Sequence, residues 1–285
     1  MILDDIAAST QVRVEKAKTA RSAEAVRDAA LTQASLGLSS GQRSSDSDTA
    51  RYRLAFEQAL SAPGLSFICE VKKASPSKGR IYEDKPGVPF FPYLEIAGDY
   101  EAAGASAISV LTEPDYFLGN DQYLREIAGT VRVPILRKDF IIDTYQIYEA
   151  KLLGASAILL ICALLDTKIL GDYIRLADSL GMASLVETHS EDEVRSALDA
   201  GARVIGINNR DLKTFKVDLA VTGRLRKLIP PGILTVSESG IRGPEDVRAL
   251  IADQGIDAVL VGEALMRAAD KKEYLRELRA AGNKE

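Results

Sequence analysis

From Gly64 onward, short runs of apolar and β-branched residues alternate with longer amphipathic stretches, the pattern of repeated strand–helix units that build a parallel sheet. Eight runs read as strands: "SFICEVK", "ASAISVLT", "VPILRKDF", "ASAILLIC", "MASLVET", "RVIGINN", "ILTVSES" and "DAVLVG". They recur at the interval that one βα unit occupies. Between them "YLEIAGDYEAAG", "TYQIYEAKLLG", "DYIRLADSLG", "SEDEVRSALDAG" and "GPEDVRALIADQG" read as helices, many closing on a Gly where a C-cap would sit. Eight such units predict a closed (β/α)8 barrel, the TIM-barrel architecture of the α/β class. A doubly wound open sheet fits less well, because it uses fewer strands and often a Gly-rich first turn, which "ASPSKG" only faintly matches.

Ahead of the barrel, "DDIAASTQVRVEKAKTARSAEAVRDAAL" reads as a helix, "GLSSGQRSSDSD" as a polar loop and "ARYRLAFEQALSA" as a further helix that ends near Pro63 and Gly64. The expected organisation is one domain, with an N-terminal helical extension over 1–63 and the barrel over 64–285. The N-terminus has neither a signal-peptide core nor an apolar stretch long enough to span a bilayer, so a cytoplasmic location is expected.

Composition narrows the partners. The 285 residues carry 41 acidic and 36 basic side chains, a net charge of −5, which offers no general field for nucleic acid or an anionic membrane. Any anion must be recognised locally. Cys69 and Cys162 both lie in apolar runs and read as reduced core residues rather than as a disulfide or metal site.

The exceptions to apolar character fall at the C-terminal ends of the strand runs. Glu70 and Lys72 are two apart and share a face of the first run, Lys138 and Asp139 end the third, and the fifth carries Glu187. The sixth closes on Asn208, Asn209 and Arg210, the seventh on Ser237, Glu238, Ser239 and Gly240. On a barrel these ends converge on one mouth, where enzymes of this architecture hold their chemistry. Wall salt bridges or misjudged strand boundaries explain any single charge equally well. For five ends together, a pocket in which acids and bases shift one another's proton affinity is the more economical account.

Gly240 and Gly262 are expected to let the backbone turn after the seventh and eighth strands, where short helix N-termini cradle phosphate. Ser75 and Ser77 add hydroxyl donors in the first loop, which Pro76 stiffens. His189, the chain's one histidine, lacks the motifs of a hydrolase triad or a metal site and reads as a solvent-facing loop residue. No dinucleotide or nucleotide-phosphate loop is evident.

The runs "ICEVKKASPSKG", "AISVLTEPDYFLG", "PILRKDFIID" continuing after one residue into "YQIYEA", "GINNRDL" and "VSESGI" occur in order, each motif starting at a strand end. From Phe67 to Met266 they closely resemble the indole-3-glycerol phosphate synthase family of tryptophan biosynthesis. The resemblance implies a carboxy-lyase that needs no cofactor or metal. Such an enzyme closes the indole ring of a carboxyphenylamino-deoxyribulose phosphate and releases carbon dioxide and water. It implies that Glu70 and Glu187 are catalytic carboxylates, that Lys72 pairs with the substrate carboxylate, that Lys138 is the general acid, and that Asn208 and Ser239 support them. Ser75, Gly240 and Gly262 would lie at the phosphate, with Glu263 close by, and Phe117 and Leu159 beside the aromatic ring; Arg210 is a further substrate-binding candidate.

Two features depart from the family pattern. The segment "GRIYEDKPGVPFFPYLEIAGDY" is longer and richer in Pro and Phe than the usual connection. At Glu263 some relatives carry Ser, and a carboxylate there repels phosphate unless it turns away. A Schiff-base aldolase acting through Lys138 and a non-catalytic sugar-phosphate-binding barrel are the competing readings. The expected partner is a phosphorylated small molecule, with no nucleic acid and no membrane, and the chain is expected to act as a monomer.

Overall fold

In the computed structural model, which describes residues 2–39, 54–82 and 91–282, eight parallel strands close into a barrel. They are β1 (Ser66–Val71), β2 (Ala107–Leu111), β3 (Ile135–Lys138), β4 (Ala157–Ile161), β5 (Ala183–Thr188), β6 (Val204–Asn208), β7 (Leu234–Glu238) and β8 (Ala258–Val261). Each pairs with the next in the chain, and β8 closes on β1, with Ser66 opposite Ala258. Every run expected to be a strand is one, a residue or two shorter at its ends.

The two-residue period of a strand sorts its side chains between two environments. Inward positions, among them Ile68, Leu136, Leu159, Leu185, Val236 and Leu260, form one apolar cluster inside the barrel. Outward positions, such as Phe67, Cys69, Val110, Ile158, Ile205 and Val259, pack against the surrounding helices in a second, larger cluster. Continuing the inward register toward the strand C-termini reaches the charged residues. Glu70 follows Ile68, Lys138 follows Leu136, Glu187 follows Leu185 and Glu238 follows Val236.

The connecting helices are α4 (Tyr93–Ala102), α5 (Asp121–Ala128), α6 (Thr144–Leu153), α7 (Thr167–Ser179), α8 (Glu191–Asp199), α9 (Ala220–Arg226), α10 (Pro244–Gln254) and α11 (Glu263–Arg267), with α12 (Lys271–Gly282) at the end. Local chemistry sets their limits. Asn120, Asp143, Asp166 and Ser190 accept a backbone N–H at four of the N-termini. Gly154 ends α6 in the left-handed region at φ 92°, a conformation that a Cβ disfavours.

The N-terminal segment differs from expectation. Instead of one long helix there are two, α1 (Ile2–Ala20) and α2 (Ala23–Ser39). Ser22 Oγ accepts the Ala25 N–H at 3.2 Å, and Tyr145 Oη donates to the carbonyls of Ala17 and Arg21. A capping serine and a side chain that takes up terminal carbonyls together break the helix. α3 (Ala55–Leu60) is shorter than its run. Its Phe56 and Leu60 are fully buried in the barrel-interior cluster with Ala107, Ala183 and Ala258, so it plugs the N-terminal end of the barrel. The polar loop expected before it falls, over 40–53, outside the described residues, as do 83–90 of the long Pro-rich segment. The described start of that segment forms a short antiparallel ladder that pairs Ala74 with Arg80 and Ser75 with Gly79. No described helix is long and apolar enough to cross a membrane.

Candidate active site

At the C-terminal end of the barrel lies a cavity of about 1250 Å³. Its floor holds Glu70, Lys138, Glu187 and Glu238, the last inward side chains of β1, β3, β5 and β7, with Lys72 just beyond β1. Lys138 Nζ lies 3.2 Å from Glu187 Oε2 and 3.7 Å from Glu238 Oε2. Lys72 pairs closely with Glu70. The carboxylates are nearly sealed, with Glu70 and Glu187 each 3% exposed and Glu238 2%, so charge there persists only where an opposite charge offsets lost hydration.

Burial and neighbours push these groups apart. Burial opposes the Lys138 charge, but Glu187, Glu238 and Glu70 outweigh it and raise its pKa, so the ammonium persists. Burial alone would raise Glu187, yet Lys138, His189 and a hydrogen bond from Asn208 hold it below the usual carboxylate range. Glu238 goes the other way. Burial, with Glu187 and Glu70 nearby, outweighs Lys138 and pushes it up to about 8. The floor thus presents a persistent ammonium, an ionised carboxylate and a carboxyl that holds its proton near neutrality.

Two glycines make room for this charge. A Cβ at Gly262 would overlap Glu70 Oε2 and lie 3.0 Å from Lys72 Nζ. A Cβ at Gly206, in the middle of β6, would overlap Glu238 Oε1 and lie 3.1 Å from its Cδ. Gly262 was expected to serve a tight turn, but its φ of −120° is open to other residues. The close approach of Glu70 requires it instead. Gly240, at φ 95°, does occupy the left-handed region.

The remaining candidates surround the same cavity. Phe117 and Phe140 form an aromatic wall with ring centroids 5.9 Å apart, and Leu159 lies below them on β4. Ser75, Ser239, Gly240, Gly262, Glu263 and Arg210 line the cavity as well. Asn208 Oδ1 accepts the Arg210 backbone N–H at 3.0 Å, which shapes that loop. Ser239 has φ 62° although it is not glycine. Its carbonyl accepts from Asn209 Nδ2 at 3.1 Å, and Asn209 also donates to Ser237 Oγ and the Glu238 carbonyl. The carboxylate of Glu263 is 3.2 Å from Arg267 Nε and 3.6 Å from Lys78 Nζ, so cations accompany it at the rim. No group of three or more His, Cys, Asp or Glu among the described residues is placed to hold a metal ion.

Several assignments change. His189 is not solvent-facing. Its side chain is 15% exposed, with Nε2 3.4 Å from Glu187 Oε1 and Nδ1 3.3 Å from Glu193 Oε2. Asp139, grouped by sequence with the mouth charges, commits its carboxylate to Arg13 at 2.9 Å, Thr112 at 2.8 Å and Arg137 at 3.3 Å, because it faces opposite to Lys138. Cys69 and Cys162, by contrast, are free thiols as expected, the first buried and the second half-buried. Glu238 was visible in "SESG" but not selected, although the glycine within β6 was a sign that something approaches that strand closely. α1 contributes Ile2, Leu3 and Ile6 to the cavity wall, a part no local motif announced.

The comparisons with known proteins agree with this geometry. Among solved structures, 3-hexulose-6-phosphate synthase from Salmonella typhimurium superposes with a TM-score of 0.61 at 16% identity, over 76% of this chain and 98% of that one. Thiamine phosphate pyrophosphorylase from Pyrococcus furiosus gives 0.55 at 17%, over 76% and 95%. These show a shared barrel. Sequence relatives are far more similar. An indole-3-glycerol phosphate synthase of Ruminiclostridium cellulolyticum is 53% identical over 99% of this chain and 100% of its own, and one of Endomicrobium trichonymphae is 49% identical over 98% and 100%. The family model described as indole-3-glycerol phosphate synthase matches residues 3–278, and the chain belongs to that family.

Proposed function

We propose that this chain closes the indole ring of a carboxyphenylamino-deoxyribulose phosphate by acid–base chemistry carried on side chains alone. The observation that carries the mechanism is the Lys138 ammonium, held between Glu187 and Glu238 at the cavity floor. Ring closure joins the aryl carbon bearing the carboxylate to the ketone carbon, and the ketone oxygen takes the charge. An alkoxide is a stronger base than any amine, so Lys138 gives it a proton even with a raised pKa. The walls of Phe117, Phe140 and Leu159 press the ring toward the ketone, which replaces a rare encounter by a positioned one.

Carbon dioxide then leaves without its bonding electrons, which return to the ring and restore its aromaticity. Lys72 holds the departing carboxylate, and Glu70 gives that ammonium a partner once the substrate charge is gone. The new hydroxyl leaves as water with a proton from an acid, and a base removes a proton from the neighbouring methylene carbon to complete the indole. Glu238, which holds its proton near neutrality, suits the first role, and Glu187, which stays ionised, suits the second. Ser75, Ser239, Gly240 and Gly262 receive the phosphate, with Lys78, Arg210 and Arg267 supplying positive charge at that rim, and Lys78 and Arg267 draw Glu263 aside.

The test is formation of fluorescent indole product from the carboxyphenylamino-deoxyribulose phosphate with no added metal or cofactor. Turnover is expected, and its absence overturns the proposal. An ammonium held against the ionised Glu187 is a poor imine former, so borohydride with substrate is expected to leave Lys138 unmodified. A trapped adduct would establish the aldolase reading instead.

A further inference from the structure

His189 lies behind Glu187, outside the cavity lining, and the mechanism above gives it no part. Its surroundings are built. Ser190 caps α8 by accepting the Glu193 N–H at 3.3 Å. Glu193, three residues on, reaches back so that its Oε2 accepts the His189 backbone N–H at 2.7 Å and lies 3.3 Å from Nδ1. This is a capping box displaced by one residue, and it fixes a carboxylate against one ring nitrogen. The other nitrogen, Nε2, faces Glu187 Oε1 at 3.4 Å, while Glu187 Oε2 faces Lys138. Each ring nitrogen therefore has a carboxylate oxygen near it, hydrogen-bonded at Nδ1 and at ion-pair distance without a hydrogen bond at Nε2. A neutral imidazole has one donor and one acceptor nitrogen, whereas an imidazolium donates at both.

We propose that His189 is a positioning residue, held as an imidazolium between Glu193 and Glu187, which keeps the Glu187 carboxylate ionised and turns its other oxygen to Lys138. The charged and titratable groups facing this unit are Glu187 on β5, Glu193 on α8, Glu238 on β7, Lys138 on β3 and Cys162 after β4. Cys162 Sγ contacts the Glu193 carbonyl at 3.6 Å, and its thiol is pushed up to about 12 by burial and the two carboxylates, so it is neutral. Burial disfavours the imidazolium, but Glu193, Glu187 and Glu238 outweigh it and raise its pKa. The stability that His189 contributes is present below its unfolded pKa and is lost as pH rises through the folded one. The effect on rate rests on the proposed role of Glu187. The protonation state of His189 does not.

A single histidine makes the test direct. The ring carbon-bound proton signals of His189 are followed by NMR from pH 5 to 9 in the full chain. The expected midpoint lies above the ordinary value of about 6.5, and Glu193→Gln lowers it by about one unit. In kcat/KM profiles with the proposed substrate, His189→Leu is expected to move the acid limb upward by about one pH unit, so the loss is greater at pH 5 than at pH 8. His189→Gln keeps a donor toward Glu187 without a charge, and is expected to recover the rate at pH 8 while keeping the displaced limb. A midpoint at or below the ordinary value, or one that ignores Glu193→Gln, overturns the inference. Wild-type protein with a raised midpoint but no indole-forming turnover would refute the proposed reaction and leave the protonation of His189 standing.

Discussion

Glu238→Gln tests the electrostatics of the cavity floor, because it replaces the carboxyl by a neutral group of the same shape. In the folded chain Glu238 titrates near 8, against 4.5 for a free glutamate. Between those values the folded protein holds a proton that the unfolded chain has released, so stability falls as pH rises through the window and levels off above it. At about 1.4 kcal/mol per unit, a shift of that size sets a ceiling of about 5 kcal/mol. The side chain is 2% exposed, so solvent screening takes little from this figure. Relaxation of Lys138 and Glu187 toward the new charge takes more, and the expected gain of the variant is about 2 kcal/mol at pH 9. At pH 5 both side chains are neutral and the two proteins are expected to match.

Equilibrium urea unfolding of both proteins at pH 5, 7 and 9 reads this difference. The stability difference is expected to open in favour of Gln with rising pH, with parallel denaturant slopes. An equal difference at every pH would mean that Glu238 titrates as an ordinary carboxylate. The opposite trend, with the variant losing ground as pH rises, would mean that Glu238 is an anion whose pairing with Lys138 stabilises the fold. Either result refutes the assignment of a proton-holding carboxyl.

Other perturbations probe neighbouring parts of the site. Lys138→Met is expected to lower kcat by about 10²- to 10⁴-fold, the range for a lost general acid, with an unchanged circular dichroism spectrum; near wild-type turnover would end its assigned role. Gly206→Ala pushes its methyl into the Glu238 carboxylate, which can turn into the cavity. The expected result is a roughly 10²-fold loss of kcat with a stability change within about 1 kcal/mol. A normal rate would show that the placement of Glu238 is not critical. Arg13→Ala leaves Asp139 buried with one cation fewer, and about 2 kcal/mol of stability is expected to go in urea unfolding. A loss below about 0.5 kcal/mol would show that α1 is held by its apolar contacts instead.

How much of this was legible in the sequence follows from the range of each interaction. The strands were readable because a buried parallel strand is nearly continuous in apolar residues, and the site was readable because Glu70, Lys138 and Glu187 interrupt that continuity. Which interruptions face inward is a matter of register. Lys138 and Asp139 are adjacent, yet one faces the cavity and the other Arg13 and Arg137. His189 has the local sequence of a loop, and its burial becomes visible only when α8 folds Glu193 back over it. The cavity wall from α1 depends on contacts such as Arg13 with Asp139, 126 residues away, for which the sequence carries no periodic signal.

Charges of both signs at these strand ends are stable because Lys72, Lys138 and Lys78 each have a carboxylate to offset lost hydration. Lys72 has Glu70, Lys138 has the ionised Glu187, and at the rim Lys78 has Glu263. Such pairing weakens simple attraction for anions, since a phosphate or carboxylate that enters must compete with an internal carboxylate for its ammonium. The gain is discrimination. A ligand bearing one anionic group can satisfy one cation but leaves the others paired as before, whereas a ligand with phosphate and carboxylate at the right separation re-partners several together. In the proposed reaction, Glu70 is already beside Lys72 to take the place of the carboxylate that departs as carbon dioxide. The arrangement therefore favours the reacting state over tight retention of the substrate, which is the direction in which binding energy raises turnover.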